Sequence, residues 1–191
     1  MALFNKKDIH YEVKPETGMI KVSIACGQRK PEGFIGLDIA PIEGVDIVCD
    51  LLKFPWPLDD ECADEVSCEH FYEHIPAELR PAFANELYRI MRKDGICKLV
   101  FPSGTSNRAF QDITHQWPPV VPQHFYYWNK GWREHEKLTH GPYAEWKCDF
   151  TFSCTGLQHE DFQSRSDEVM RFAELHYWGA MTDYQVILTK E

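Results

Sequence analysis

A chain of 191 residues with 43% hydrophobic and 14% aromatic side chains suits one domain with a sizeable core. Its formal net charge of -10 argues against a nucleic-acid or anionic-membrane partner, because binding phosphate takes clustered Lys and Arg and the longest polar-basic run is Gln28-Arg29-Lys30. No apolar run approaches the roughly 18 residues needed to span a bilayer, and the start M-A-L-F-N-K-K-D-I-H lacks the apolar stretch of a secretory signal. The 7 Cys include no C-x-x-C pair and lie mostly inside apparent strands. Scattered strand thiols are usually small buried hydrophobes in a reducing compartment, so a cytoplasmic protein is expected.

Met1 to Gly18 is weakly patterned, with one short strand or turn around Ile9 to Val13. Three apolar runs follow. Met19–Ala25 puts Ile20, Val22 and Ile24 on one face and Lys21, Ser23 and Ala25 on the other. Phe34–Ile39 and Val45–Cys49 read as the second and third strands, separated by Pro41 and Gly44. Gly27, Asp38 and Asp50 sit at or just beyond the ends of the three runs. In an open parallel sheet ligands bind beyond the carboxyl ends of the strands, so these residues outline a pocket for a ligand with hydroxyl and amino groups.

The link Gln28–Gly33 is short. Parallel neighbours normally need a crossover of a dozen or more residues, and six extended residues span roughly 20 Å. The return is feasible, but it leaves no room for a full helix, and Pro31 opposes one. The semi-polar second face of the first strand therefore needs another cover: the N-terminal segment, a later insertion or a second subunit.

Phe54 to Glu61 (F-P-W-P-L-D-D-E) reads as a rigid loop and Ala63–Cys68 as a fourth strand. Pro76–Arg92 is predicted helical from the stripe Ile75, Leu79, Phe83, Leu87 and Met91, with Gly95 as its stop. Ile96–Phe101 is a fifth strand. Thr105 to Glu145 is then crowded with aromatics and histidines, reads as an insertion over the strand ends, and carries some helix within Asn129–Leu138. Cys148–Thr155 alternates as a half-buried strand with Cys148, Phe150, Phe152 and Cys154 inward. Ser166 or Asp167 caps a helix to about His176 with Val169, Phe172 and Ala173 inward, and Tyr184–Thr189 is the last strand.

The segments I-A-C-G, G-L-D-I, V-C-D-L, E-H-F-Y-E-H-I-P and E-L-Y-R-I-M-R-K-D-G-I-C-K-L-V-F-P, in this order over Met19 to Ser103, resemble class I S-adenosylmethionine-dependent methyltransferases. The short first link and the D-x-T-H segment, Asp112 to His115, also resemble a subgroup of such proteins. The resemblance implies an α/β fold: a Rossmann-like three-layer sandwich, a mostly parallel sheet with an antiparallel last strand, and a first crossover helix that is lacking or truncated. It divides one domain into a cofactor-binding core (19–104), an aromatic insertion over the active site (105–146) and a closing strand-helix-strand (147–191).

The cofactor implied is S-adenosyl-L-methionine. Ala25, Cys26 and Gly27 would hold its methionine part through backbone groups. Asp38, followed by Ile39, would bind the ribose hydroxyls, and Asp50 would accept from the adenine amino group with Leu51 beside the ring. Glu69 and His70 would line the site near the sulfonium. Two departures stand out: the family usually carries Gly where this chain has Ala25, and the helix whose N-terminus helps hold the cofactor has no room here.

On the acceptor side His115 is the candidate base, since histidine titrates near neutrality; the alternative is a histidine held by Asp112 to fix the loop. Trp117, His124, Tyr126 and Trp128 could stack on or orient a small-molecule acceptor, as could His74, although the aromatic run could equally be core. His115, His124, His135, His140 and Cys148 lack regular ligand spacing, so no metal is expected. Methyl transfer from a sulfonium to a small molecule or exposed side group, as an in-line displacement, is the leading reading. A cofactor-binding protein without transfer activity, or an enzyme that cleaves the cofactor, are the alternatives, and a homodimer is one way to cover the open face.

Overall fold

The computed structural model describes residues 18–191, so the element expected around Ile9 to Val13 lies outside the described residues. Seven strands form one sheet in the order β3-β2-β1-β4-β5-β7-β6. The strands are β1 (Lys21–Ile24), β2 (Ile35–Asp38), β3 (Ile47–Val48), β4 (Ala63–Glu69), β5 (Met91–Pro102), β6 (Phe150–Gln158) and β7 (Met181–Lys190). The pairs from β3 through β5 are parallel, and β7 joins β5 and β6 antiparallel. Among the described residues all the expected strands exist; β3 is shorter than its apolar run and β7 longer.

Register gives the sheet two unlike faces. Ile24 lies beside Leu37 and Cys68, Cys68 beside Leu99, and Leu99 beside Val186. Every member of that row is buried. One residue away, Ser23 lies beside Gly36 and Ser67, Ser67 beside Lys98, and Ile187 beside Lys98 and Ser153. Because side chains alternate across a strand, the first row faces the core and the second faces away from it.

The apolar face carries α1 (Arg80–Ile90), preceded by a 3-10 turn at Ala77–Leu79. Phe83 on α1 meets Trp56, Phe71, Tyr72 and Trp128 ring to ring. The helix stops at Ile90, two residues before the expected end. Met91 is already extended and pairs with Ala63, while Arg92–Gly95 bulges out before Ile96 pairs with Glu65. Gly95 is accordingly no helix cap: a Cβ there would sit 2.8 Å from the Arg92 carbonyl oxygen and 3.2 Å from that of Asp64. Its role is a close backbone approach.

The insertion is pinned to this same side. Asn85 of α1 donates to the Glu145 carbonyl and accepts from the Lys147 and Cys148 N–H groups at 2.7 and 3.0 Å. The insertion holds α2 (Arg108–Gln111) and α3 (Lys130–His135), the latter within the expected stretch and capped by Asn129. After β6, α4 (Asp167–His176) is capped by Ser166, whose Oγ accepts from Val169 N–H. Its inward residues are Met170 and Ala173; Val169 and Phe172, expected inward, are exposed, as is Cys154. The helix turns one position further round than its apolar stripe suggested.

Among the described residues no helix occurs between β1 and β4, so on the polar face the outer layer is made by loops. The short first link folds over β2 itself. Lys30 donates to Asp46 Oδ2 at 2.7 Å, the same oxygen accepts from Gly36 N–H, and a Cβ on Gly36 would sit 2.6 Å from Cys26 Sγ and 2.7 Å from Lys30 Cδ. A lysine stem and a thiol thus occupy space that a helix would otherwise cover. No helix among the described residues is long and apolar enough to cross a membrane.

Candidate active site

A cavity of about 670 Å³ opens where β1 and β4 end, lined among others by Ser23, Ala25, Cys26, Gly27, Ser67, Glu69 and His70. Its volume is in the range of small-molecule sites. The floor exists because the outward positions of β1 and β4 are serines: Ser23 and Ser67 pair in register, and side chains this small leave the space unfilled. Neither serine belongs to a sequence motif for the site; Ser23 is legible in the chain only as part of the small polar face of the first strand.

The loop after β1 is shaped by unusual backbone. Ala25 has φ +52° and Gly27 φ +50°, and His70, just past β4, has φ +54°. A non-glycine residue in the left-handed region is uncommon and costs on the order of 1–2 kcal/mol. The alanine that stands where the family prefers glycine does adopt the glycine-like conformation. Asp38 ties this loop down: its Oδ2 accepts from Gly27 N–H and its Oδ1 from Ala40 N–H, both at 2.9 Å. Each oxygen keeps a second lone pair for a ligand hydroxyl.

Asp38 thus reaches the cavity only through its bond to Gly27, and neither it nor Ile39, Asp50 or Leu51 lines the cavity. Asp50 lies at the end of the neighbouring strand, where Leu52 N–H and the Lys53 ammonium (3.0 Å) bond its carboxylate and, with the lysine foremost, hold it below the usual carboxylate range. Ile39 is exposed beside Asp38, whereas Leu51 is buried and its carbonyl accepts from Trp56 Nε1. A place for Leu51 against a ligand ring is thus taken by core packing. Cys26 is buried, and burial, then the nearby Asp38, pushes its thiol up. Burial likewise pushes Cys49 up to about 11, so neither thiol is a nucleophile here. Glu69 faces the cavity and pairs with Lys98 at 2.7 Å.

His70 leads from this cavity to a second cluster. Its Nδ1 lies 3.3 Å from Glu73 Oε1, and the hydrogen bond to Glu73 is the main reason its pKa is raised. Next to Glu73, His74 reaches the D-x-T-H segment: its Nδ1 lies 2.9 Å from Thr114 Oγ1, and that hydroxyl donates to Asp112 Oδ1 at 2.7 Å. His115 stands edge-on to His74 with ring centroids 4.8 Å apart. Its own Nδ1 lies 3.0 Å from the Ala109 carbonyl oxygen. A carbonyl only accepts, so Nδ1 carries the proton and Nε2 is the basic nitrogen. The Asp112 carboxylate bonds Thr114 rather than the His115 ring, and the Asp112 backbone carbonyl accepts from His115 N–H at 3.2 Å.

The other expected acceptor-side residues do not join this group. Trp117 is 76% exposed at the rim of a smaller cavity of about 220 Å³ that His115 also lines. Tyr126 stacks on Trp132 at the surface. Trp128 has no exposure at all and packs against Tyr72, Phe125, Trp146 and Phe150, so it is core rather than a substrate contact. His124 is half-buried, and burial foremost, with Arg80 nearby, pushes its pKa down to about 4.

The fold matches known structures. The fold is that of class I methyltransferases. A crystal structure of an S-adenosylmethionine-dependent methyltransferase from Archaeoglobus fulgidus superposes with a TM-score of 0.60 at 22% identity, over 91% of this chain and 87% of that one. A putative sarcosine dimethylglycine methyltransferase from Galdieria sulphuraria matches with a TM-score of 0.54 at 14% identity, over 91% and 78%. The small RNA methyltransferase HEN1 matches with a TM-score of 0.53 at 14% identity, over 91% of this chain but 23% of that larger one. No protein-family model matches the sequence, and no curated protein does.

Proposed function

We propose that the chain binds S-adenosyl-L-methionine in the cavity beyond β1 and β4 and moves its methyl group to a small-molecule or exposed side-group acceptor. The observation that carries this is the loop Ala25-Cys26-Gly27, left-handed at Ala25 and Gly27, tied to the Asp38 carboxylate and lining a cavity of about 670 Å³ at strand ends of this fold. In this reading the loop's backbone and Glu69 hold the methionine part, and the free lone pairs of Asp38 take the ribose hydroxyls. Asp50 and Ile39 border the adenine.

The chemistry asks little of side chains. Displacement at a sulfonium methyl needs the acceptor in line, about 3 Å away, and water kept out. His70 separates cofactor from acceptor side, and His115 Nε2 is the basic atom there for an acceptor that must lose a proton. The net charge of -10 favours a neutral or cationic small acceptor over a polyanion.

Calorimetric titration with S-adenosyl-L-methionine, followed by mass spectrometry of the products, tests this. Binding with S-adenosylhomocysteine as product supports transfer; methylthioadenosine or adenosine would mean cofactor cleavage; no binding at millimolar concentration would sink the reading. Asp38→Ala is expected to weaken binding more than tenfold, roughly 1.4 kcal/mol. Asp38→Asn, which keeps an oxygen for Gly27 N–H, separates a lost ribose contact from a collapsed loop.

A further inference from the structure

Glu73 is the least explained ionisable group among the described residues. It is 5% exposed, its Oε1 meets His70, and its Oε2 is buried with no hydrogen-bond partner. A buried carboxylate oxygen without a partner costs on the order of 1–3 kcal/mol or more, so such groups call for an explanation. One ligand atom from each of Glu73, His74 and His115 lies within 4.8 Å of the others. Tetrahedral ligands at about 2.05 Å from a metal stand roughly 3.4 Å apart, so a modest rotation of the two half-buried rings closes the set.

The protons are already arranged for this. His115 Nδ1 donates to the Ala109 carbonyl, and Thr114 gives its hydroxyl proton to Asp112, which obliges His74 Nδ1 to donate to Thr114 Oγ1. Both rings thereby carry a hydrogen on Nδ1, which leaves Nε2 as the nitrogen free to ligate. Metal-bound histidines are characteristically oriented in this way, with the other ring nitrogen bonded to a carbonyl or to a carboxylate relay. The D-x-T-H segment thus acts as the outer support of a ligand set.

We infer that Glu73, His74 and His115 bind a divalent first-row transition cation through one carboxylate oxygen and two Nε2 atoms. Two imidazoles and one carboxylate suit Zn²⁺, Mn²⁺, Fe²⁺ or Co²⁺ better than Ca²⁺ or Mg²⁺, which prefer oxygen alone. The three protein ligands leave at least one coordination position open. The ion takes up the orphan Oε2 and reassigns His115 Nε2 from proton acceptor to ligand. The sequence showed no regular spacing for it because the ligands come from the turn after β4 and from the insertion, far apart in the chain.

The test needs no S-adenosyl-L-methionine, so it stands apart from the methyltransferase reading. The chelator-treated full chain is titrated with ZnCl2, MnCl2 and CoCl2 by calorimetry, with the Co²⁺ visible spectrum as a second readout. A single equivalent should bind and give Co²⁺ ligand-field bands. His74→Asn and His115→Asn should each weaken binding at least 100-fold and remove the bands, and Thr114→Val, which leaves the ligands in place, should weaken it about 10–100-fold. Circular dichroism checks that the variants fold. Absence of binding at millimolar metal overturns the inference, as does binding unchanged in both histidine variants, which would place the ion on exposed histidines elsewhere.

Discussion

The two faces of the sheet solve the burial problem in opposite ways. On one face the row Ile24, Cys68, Leu99 and Val186 meets large rings from α1 and the insertion, and Phe83, Phe125, Trp128 and Phe150 are fully buried. On the other, one residue along each strand, Gly36 is covered by Cys26 and the Lys30 stem, while the space above Ser23 and Ser67 is the cavity. Large complementary side chains close a core, while small polar ones leave a volume that a ligand can fill. Stability is thus concentrated on one face and binding capacity on the other.

The largest effect that contrast predicts is on the filled face. Trp128→Ala removes a fully buried indole from a cluster of rings, and a loss of about 3–5 kcal/mol is expected in urea unfolding. A loss under about 1 kcal/mol would show that the insertion is not locked to α1, and the contrast between faces would fall.

A pH effect of intermediate size should come from the same face. His124 has its pKa pushed down to about 4, against about 6.5 in an unfolded chain. Between those values the unfolded chain takes up a proton that the folded one refuses, so stability falls as pH drops from about 6.5 to about 4. His124→Asn should flatten that part of the stability–pH curve; an identical slope in the variant would mean the histidine is not held neutral by burial.

The smallest effect belongs to the open face. Ala25→Gly relieves the left-handed alanine and should stabilise by about 0.5–1 kcal/mol after the entropy cost of glycine, a rise of a few degrees in Tm. A drop in Tm would mean that Ala25 is unstrained there.

Periodicity made the strands legible because alternation and helical spacing are local properties of the chain. The expected second and fourth strands, the helix after Pro76, α3, the Ser166 cap and the helix-free first link all have counterparts in the structure. Local patterning failed where a neighbour outbid it. Met91 belonged to a helical stripe, yet pairing with Ala63 drew it into β5. Ala173 is inward as expected, but Val169 and Phe172 are exposed and Met170 is buried in their place. Leu51 and Trp128 looked like ligand contacts, but both are closed into the core.

The strand ends with Gly27, Asp38 and Asp50 could be read from the chain alone, since each follows directly from where an apolar run stops. The acidic balance and the absence of room for a helix in Gln28–Gly33 were also set by composition and length. Only the tertiary structure decided that Ser23 and Ser67 pair to floor a cavity. It also brought His74 to Thr114, and Glu73 within reach of His115. Those juxtapositions depend on strand register and on where a long insertion folds back, and both are fixed by non-local burial that no spacing in the sequence records.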